Sequence, residues 1–141
     1  MKLRDVMTKD VITITSNQSV ITAAARMREL NVGSLVVVKD GVVEGIITTW
    51  DLSVGCMGAG HDPRECLVYN HMSSPVHTGR SDLDALEAAH IMAERRITRL
   101  PVVDDGKLIG IVTFSNISKA MDRLVHDLLI GWEPAKSDSA P

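Results

Sequence analysis

Aromatic residues are nearly missing from this 141-residue chain: two Trp, one Tyr and one Phe make 3% of it. A core without large rings must be assembled from Val, Ile, Leu, Ala and Met. Cysteine is scarce too. Cys56 and Cys66 are too few for a disulfide framework, and their plain reading is two reduced thiols. No run approaches the roughly 20 apolar residues that span a bilayer. Met1-Lys2-Leu3-Arg4-Asp5 leads straight into patterned sequence with no apolar signal-peptide region, so the cytoplasm is the expected location. A net charge of −3 argues against broad nucleic-acid binding, which needs a basic surface.

What is present is a repeat. Aligning Met7 with Met72 and reading without a gap to Leu52 and Ile117 gives 16 identities in 46 positions. They include Met7/Met72, Ala23/Ala88, Met27/Met92, Asp40/Asp105, Gly45/Gly110 and Thr48/Thr113. Each copy reads as β-α-β-β-α. The first copy opens with a short strand, Val11 to Ile14, matched by Val76-His77-Thr78. A polar stretch suited to cap a helix follows, Thr15 to Ser19 or Arg80 to Asp84. The helical stripe is Val20, Ala23, Ala24, Met27 and Leu30, and Leu83, Leu86 and Ala89 repeat it less cleanly. Leu35–Val38 and Leu100–Val103 are continuous apolar runs, which predicts strands buried on both faces. Asp40-Gly41 and Asp105-Gly106 are hairpin dipeptides leading into return strands. The last helix runs from about Ser115 to Ile130, and its stripe of Met121, Leu124, Val125, Leu128 and Leu129 suggests a dimer surface. The expected division is 1–60 for repeat 1, 61–70 for a connector, 71–130 for repeat 2, and 131–141 for a disordered tail. Halves of about 50 residues bury too little surface alone, so the two should pack through their sheets with pseudo-twofold symmetry.

Both return strands end in a threonine, and a carboxylate or amide follows three residues later: Thr48 with Asp51, Thr113 with Asn116. Thr-x-x-Asp at a helix start is close to a capping box. It also offers a hydroxyl and a carboxylate where free helix N–H groups attract phosphate. Elsewhere, Cys56, His61, Cys66 and His71 recur at intervals of five. They are zinc-type ligands in kind. The spacing matches no common structural zinc motif and shares no helix face, so coincidence in a connector is preferred and no metal site is assigned. Trp50 and Trp132 read as packing residues. No Ser/His/Asp or Cys/His motif supports catalysis.

Gly-Ile-Ile-Thr-x-x-Asp at residues 45–51, Leu-Pro-Val-Val-Asp at 100–104, the Val-Met-Thr opening at 6–8 and the gapless duplication together resemble a tandem pair of cystathionine-β-synthase (CBS) domains. The resemblance covers about residues 3–130 and leaves nothing over for a catalytic domain. It implies an α/β (α+β) fold and a non-enzymatic, stand-alone sensor with no catalytic cofactor, which binds an adenosine-containing ligand between the copies. AMP, ADP, ATP and S-adenosylmethionine are the usual ligands. It also implies a homodimer; an unliganded scaffold is the alternative.

Carried onto this sequence, one cleft holds Thr48, Asp51, Pro75, Val76, His77, Ile97, Thr98 and Arg99. The other holds Asp10, Val11, Ile12, Val32, Gly33, Thr113 and Asn116. Asp51 can accept two hydrogen bonds from a ribose diol, and Gly45 keeps its approach open. Arg95, Arg96 and Arg99 lie in or near the first wall, Arg95 as a solvated helix end. The second wall brings Asp10 and no arginine. The first cleft is therefore the stronger expected site.

Overall fold

The computed structural model describes residues 1–74 and 76–131. Pro75, Trp132 and the tail 133–141 lie outside the described residues. The first copy runs α1 (Leu3–Val6), β1 (Thr13–Ile14), α2 (Val20–Leu30), β2 (Ser34–Lys39), β3 (Val42–Thr48) and α3 (Asp51–Met57), the last being π-helical. The second runs α4 (Val68–His71), α5 (Ala85–Arg95), β4 (Arg99–Asp104), β5 (Lys107–Thr113) and α6 (Phe114–Gly131). From α1/α4 to β3/β5 the paired elements stand 65 residues apart, so the repeat extends back to residue 3.

Local chemistry sets the boundaries. Ser19 Oγ accepts from Thr22 N–H at 3.2 Å, and Asp84 caps α5 through Leu86 and Glu87 N–H at 3.1 and 3.3 Å. Each hairpin turns on Asp-Gly with both residues in the left-handed region, φ 52° and 78° in the first copy, the geometry of a type I′ turn. A register shift follows in both hairpins, at Val37/Val38 and Val102/Val103.

The sheets differ at one edge. β1 pairs parallel to β2, and Val36 N–H donates to Ile12 O at 3.1 Å. At the matching position of the second copy stands Pro101, which has no N–H to give. The expected strand at Val76-His77-Thr78 is accordingly reduced to one bridge, Gly79 with Val102.

The buried stripe of α2 is Val20, Ala23 and Met27, and that of α5 is Ala85, Ala88 and Met92. Leu30 and Leu86, placed on the stripes by spacing, are exposed instead. The two cores exchange segments. Leu3 packs with Ala88, Met92, Leu100, Val102, Val112 and Ile117 of the second copy, while Val68 packs with Ile14, Ala23, Met27, Leu35, Val37 and Ile47 of the first. Backbone bridges seal the exchange: Thr8 to Ile111, and Ser73 to Ile46. The repeated Met/Gly pairs follow from it. A Cβ on Gly45 would lie 2.7 Å from Met72 Sδ, and one on Gly110 would lie 2.5 Å from Met7 Sδ. Gly45 thus makes room for a methionine rather than for a ligand. β3 and β5 meet across the halves, packing the two β-α-β-β-α units sheet to sheet.

Candidate functional site

β3 ends and α3 begins at a compact turn. Asp51 Oδ2 accepts from Thr48 N–H at 2.8 Å and from Thr48 Oγ1 at 3.1 Å, and Asp51 N–H donates back to Thr48 Oγ1 at 3.4 Å. This is the reciprocal cap, and it leaves Asp51 only 8% exposed. The second copy repeats it: Asn116 Oδ1 accepts from Thr113 N–H at 2.9 Å, and Asn116 N–H donates to Thr113 Oγ1 at 3.1 Å. Among the described residues, Asp51 Oδ1 has no donor. Three N–H groups at this turn are already engaged. Thr48 and Asp51 use theirs in the cap, and Thr49 donates to Gly33 O at 3.1 Å.

Beside this turn lies a cavity of about 490 Å³, lined by Thr48, Asp51, Val76, His77, Ile97, Thr98 and Arg99. Pro75 of the expected set is outside the described residues. Sequence reasoning missed Ile46 and Ser73, which the inter-copy bridge brings to the rim. Trp50 also lines the cavity and is 63% exposed, so it is not a packing residue. Only its position next to Asp51 signalled this. Arg96 lines the wall with its backbone in the left-handed region, φ 54°, as the C-cap of α5. Arg95 does not line it; its guanidinium meets His77 Nε2 at 3.1 Å.

A second hollow, about 220 Å³, is lined by Asp10, Val11, Ile12, Val32, Gly33 and Thr113, with Thr8, Ser34, Val36, Ile111 and Arg99. Asn116, assigned there, is held back in its cap. Arg99 borders both clefts, and a Cβ on Gly33 would lie 3.0 Å from its guanidinium. The expected wall without arginine is therefore corrected. The charge contrast narrows to Arg96 on one side and Asp10 on the other.

The connector residues do not scatter. Cys56 lies in the last turn of α3, His61 and Cys66 follow a reversal at residues 58–60, and His71 ends α4, so helical spacing is the wrong measure for them. Ligand atoms of Cys56, Cys66 and His71 all lie within 4.8 Å of one another. Burial, together with the neighbouring Cys66 thiol, pushes the Cys56 thiol up from its ordinary pKa.

Against known proteins, the CBS domain model matches residues 3–54 and 68–123. The chain belongs to the CBS domain family. It is 41% identical over 124 residues to an uncharacterized protein of Methanopyrus kandleri, covering 86% of this chain and 63% of that one. It is 34% identical over 116 residues to the CBS domain-containing protein YhcV of Bacillus subtilis, covering 82% of each. Among solved structures, the CBS domain pair of protein MJ0100, in complex with 5′-methylthioadenosine and S-adenosyl-L-methionine, superposes with a TM-score of 0.79 at 30% identity. That match covers 86% of this chain and 99% of that pair. Among the described residues of this CBS pair, no helix is long and apolar enough to cross a membrane.

Proposed function

We propose that this CBS pair is a non-catalytic regulatory module that binds an adenosine-containing ligand in the Asp51 cleft. One observation carries the reading. Asp51, the apolar Ile46, Val76 and Ile97, and the guanidinium-bearing Arg96 and Arg99 border a single cavity of about 490 Å³, a volume in the range of small-molecule sites. The carboxylate suits a ribose diol, the aliphatic side chains suit a base face, exposed Trp50 suits stacking, and the arginines suit phosphate or carboxylate. With the N–H groups of Thr48, Thr49 and Asp51 engaged, anion recognition rests mainly on the arginines.

Binding would shift the chain between packings only if the ligand favours one of them. The natural packing partner is a second copy. Leu124, Val125, Leu128, Leu129 and Ile130 on α6 are all 48% exposed or more, and such a run of apolar side chains suits a homodimer face. The ligand of MJ0100 supports S-adenosylmethionine as a second ligand class, with its amino-acid carboxylate on Arg96 or Arg99.

The test is isothermal titration of nucleotide-stripped protein with adenosine, AMP, ADP, ATP, S-adenosylmethionine, methylthioadenosine and GTP, alongside mass spectrometry of co-purified small molecules. Saturable binding of at least one adenosine compound and none of GTP is expected. No adenosine compound bound, in titration or in preparations, would leave the unliganded scaffold as the better reading.

A further inference from the structure

The connector between the two copies carries a site of its own, independent of the cleft. Cys56 is fully buried at the end of α3. Its Sγ, the Cys66 Sγ and a His71 ring nitrogen lie within 4.8 Å of one another. His71 Nε2 is buried and has no hydrogen-bond partner among the described residues. A buried ring nitrogen left unsatisfied is uncommon and points to an absent partner. The His61 ring stands next to that of His71, centroids 5.4 Å apart. An open depression bordered by His61, Asp62, Glu65, Cys66 and His71 gives access from solvent.

The backbone holding these groups is fixed rather than loose. Cys66 O accepts from Val20 N–H at 2.8 Å, Pro63 O accepts from Ile21 N–H at 2.9 Å, and Val68 N–H donates to Gln18 O at 2.8 Å. The connector thereby satisfies the free N–H groups at the start of α2. His61 N–H donates to Cys56 O at 3.1 Å and Cys66 N–H to Asp62 O at 3.2 Å, tying the reversal to both ends. Asp62 itself pairs with Arg64, at 3.1 Å, and is not among the converging ligand atoms.

We propose that Cys56, Cys66 and His71 bind a zinc-class divalent cation, with His61 swinging in as the fourth ligand. Two sulfurs and two imidazoles are a tetrahedral zinc set. Two thiolates balance the charge of a divalent ion, which suits a half-buried place, and sulfur ligands select against magnesium and calcium. Ligand atoms around tetrahedral zinc stand about 3.3–3.8 Å apart, so the cluster needs to contract by only about 1 Å. Binding forms two Zn–S bonds and breaks two S–H bonds, and both protons leave to solvent. The ion would staple the end of α3, whose first residue is Asp51, to the end of α4, which leads to Ser73 on the rim of the cleft.

The test is metal content by plasma mass spectrometry after growth with zinc and dialysis, and a Co²⁺ titration followed by absorbance. The wild type is expected to retain one zinc per chain. With Co²⁺ it should show thiolate-to-cobalt charge-transfer bands and intense tetrahedral visible bands. Cys66→Ser, at a half-buried position, and His71→Ala should each lose at least tenfold in Co²⁺ affinity while keeping the wild-type circular dichroism. Stoichiometric zinc undiminished in Cys66→Ser would overturn the proposal. So would a wild type that holds no zinc or Co²⁺ with both thiols free, or one whose Cys56 and Cys66 are joined as a disulfide.

Discussion

Asp51 has two duties that substitution can separate. Its Oδ2 caps the turn through Thr48 N–H and Oγ1, at 2.8 and 3.1 Å, while its Oδ1 has no partner among the described residues and the residue lines the cleft. The second copy already shows what asparagine does there: Asn116 Oδ1 takes Thr113 N–H at 2.9 Å and keeps the cap. In Asp51→Asn, Oδ1 of the amide should take Thr48 N–H, which turns the NH₂ toward the cleft. Stability should stay within about 0.5 kcal/mol of wild type. The ribose acceptor is lost, however. A hydrogen bond to a charged group contributes about 1.5–3 kcal/mol, or roughly 10–150-fold in dissociation constant. Asp51→Ala should lose a similar amount of affinity and, in addition, about 1 kcal/mol of cap stability, a melting-temperature fall of roughly 2–5 °C for a chain this size. Calorimetric titration with AMP and urea melts of the three proteins measure both quantities. Wild-type affinity in Asp51→Asn would refute the ligand role. Equal stability in Asp51→Ala would refute the cap.

Four further outcomes are expected. Gly45→Ala places a methyl 2.7 Å from Met72 Sδ and 2.8 Å from the Ser73 carbonyl oxygen. It should cost about 1–3 kcal/mol in urea unfolding. Leu3→Ala should cost about 2–5 kcal/mol, with the loss of amide protection concentrated in α5 and β4 rather than in α2 and β2. Arg96→Ala should weaken ATP more than adenosine, and the gap should close at high salt, which parallel titrations at two ionic strengths would measure. The Ser81 hydroxyl and N–H hold the Asp104 carboxylate below its usual pKa. A carboxyl depressed in the folded state contributes stability above its unfolded value of about 3.9, and that stability is lost as pH falls through the lower folded value. Ser81→Ala should therefore lower the urea midpoint at pH 7, and the deficit should shrink below about pH 4.

The duplication was legible from identities alone, and with it the order of elements and the two facing turns. Periodicity placed the helices, but it put Leu30 and Leu86 on the buried stripes; spacing cannot tell adjacent faces apart when small alanines mark the true one. The lost edge strand of the second copy was foreshadowed by Pro101, whose missing N–H matters only once its parallel neighbour is known. The expected cleft walls were carried over from the resemblance to CBS pairs rather than read from spacing, and Ile46 and Ser73 reach the rim through a bridge between segments 27 residues apart. The reach of Arg99 to Gly33 and the convergence of Cys56, Cys66 and His71 depend on where chain reversals point side chains. No one-dimensional spacing rule carries that information.

The exchange of α1 and α4 between the cores bears on how the chain folds as it leaves the ribosome. The first core is complete once Val68 and Met72 have emerged, a short wait after β3. Leu3, made before any of the first core, must stay without its pocket until Ile117 has been synthesised. The early half can therefore close while the α1 segment made before it still trails free. The second half then closes by recapturing that segment, a loop closure spanning nearly the whole pair. Deleting the first six residues should consequently unravel the half farthest from them in sequence and leave the adjacent one standing.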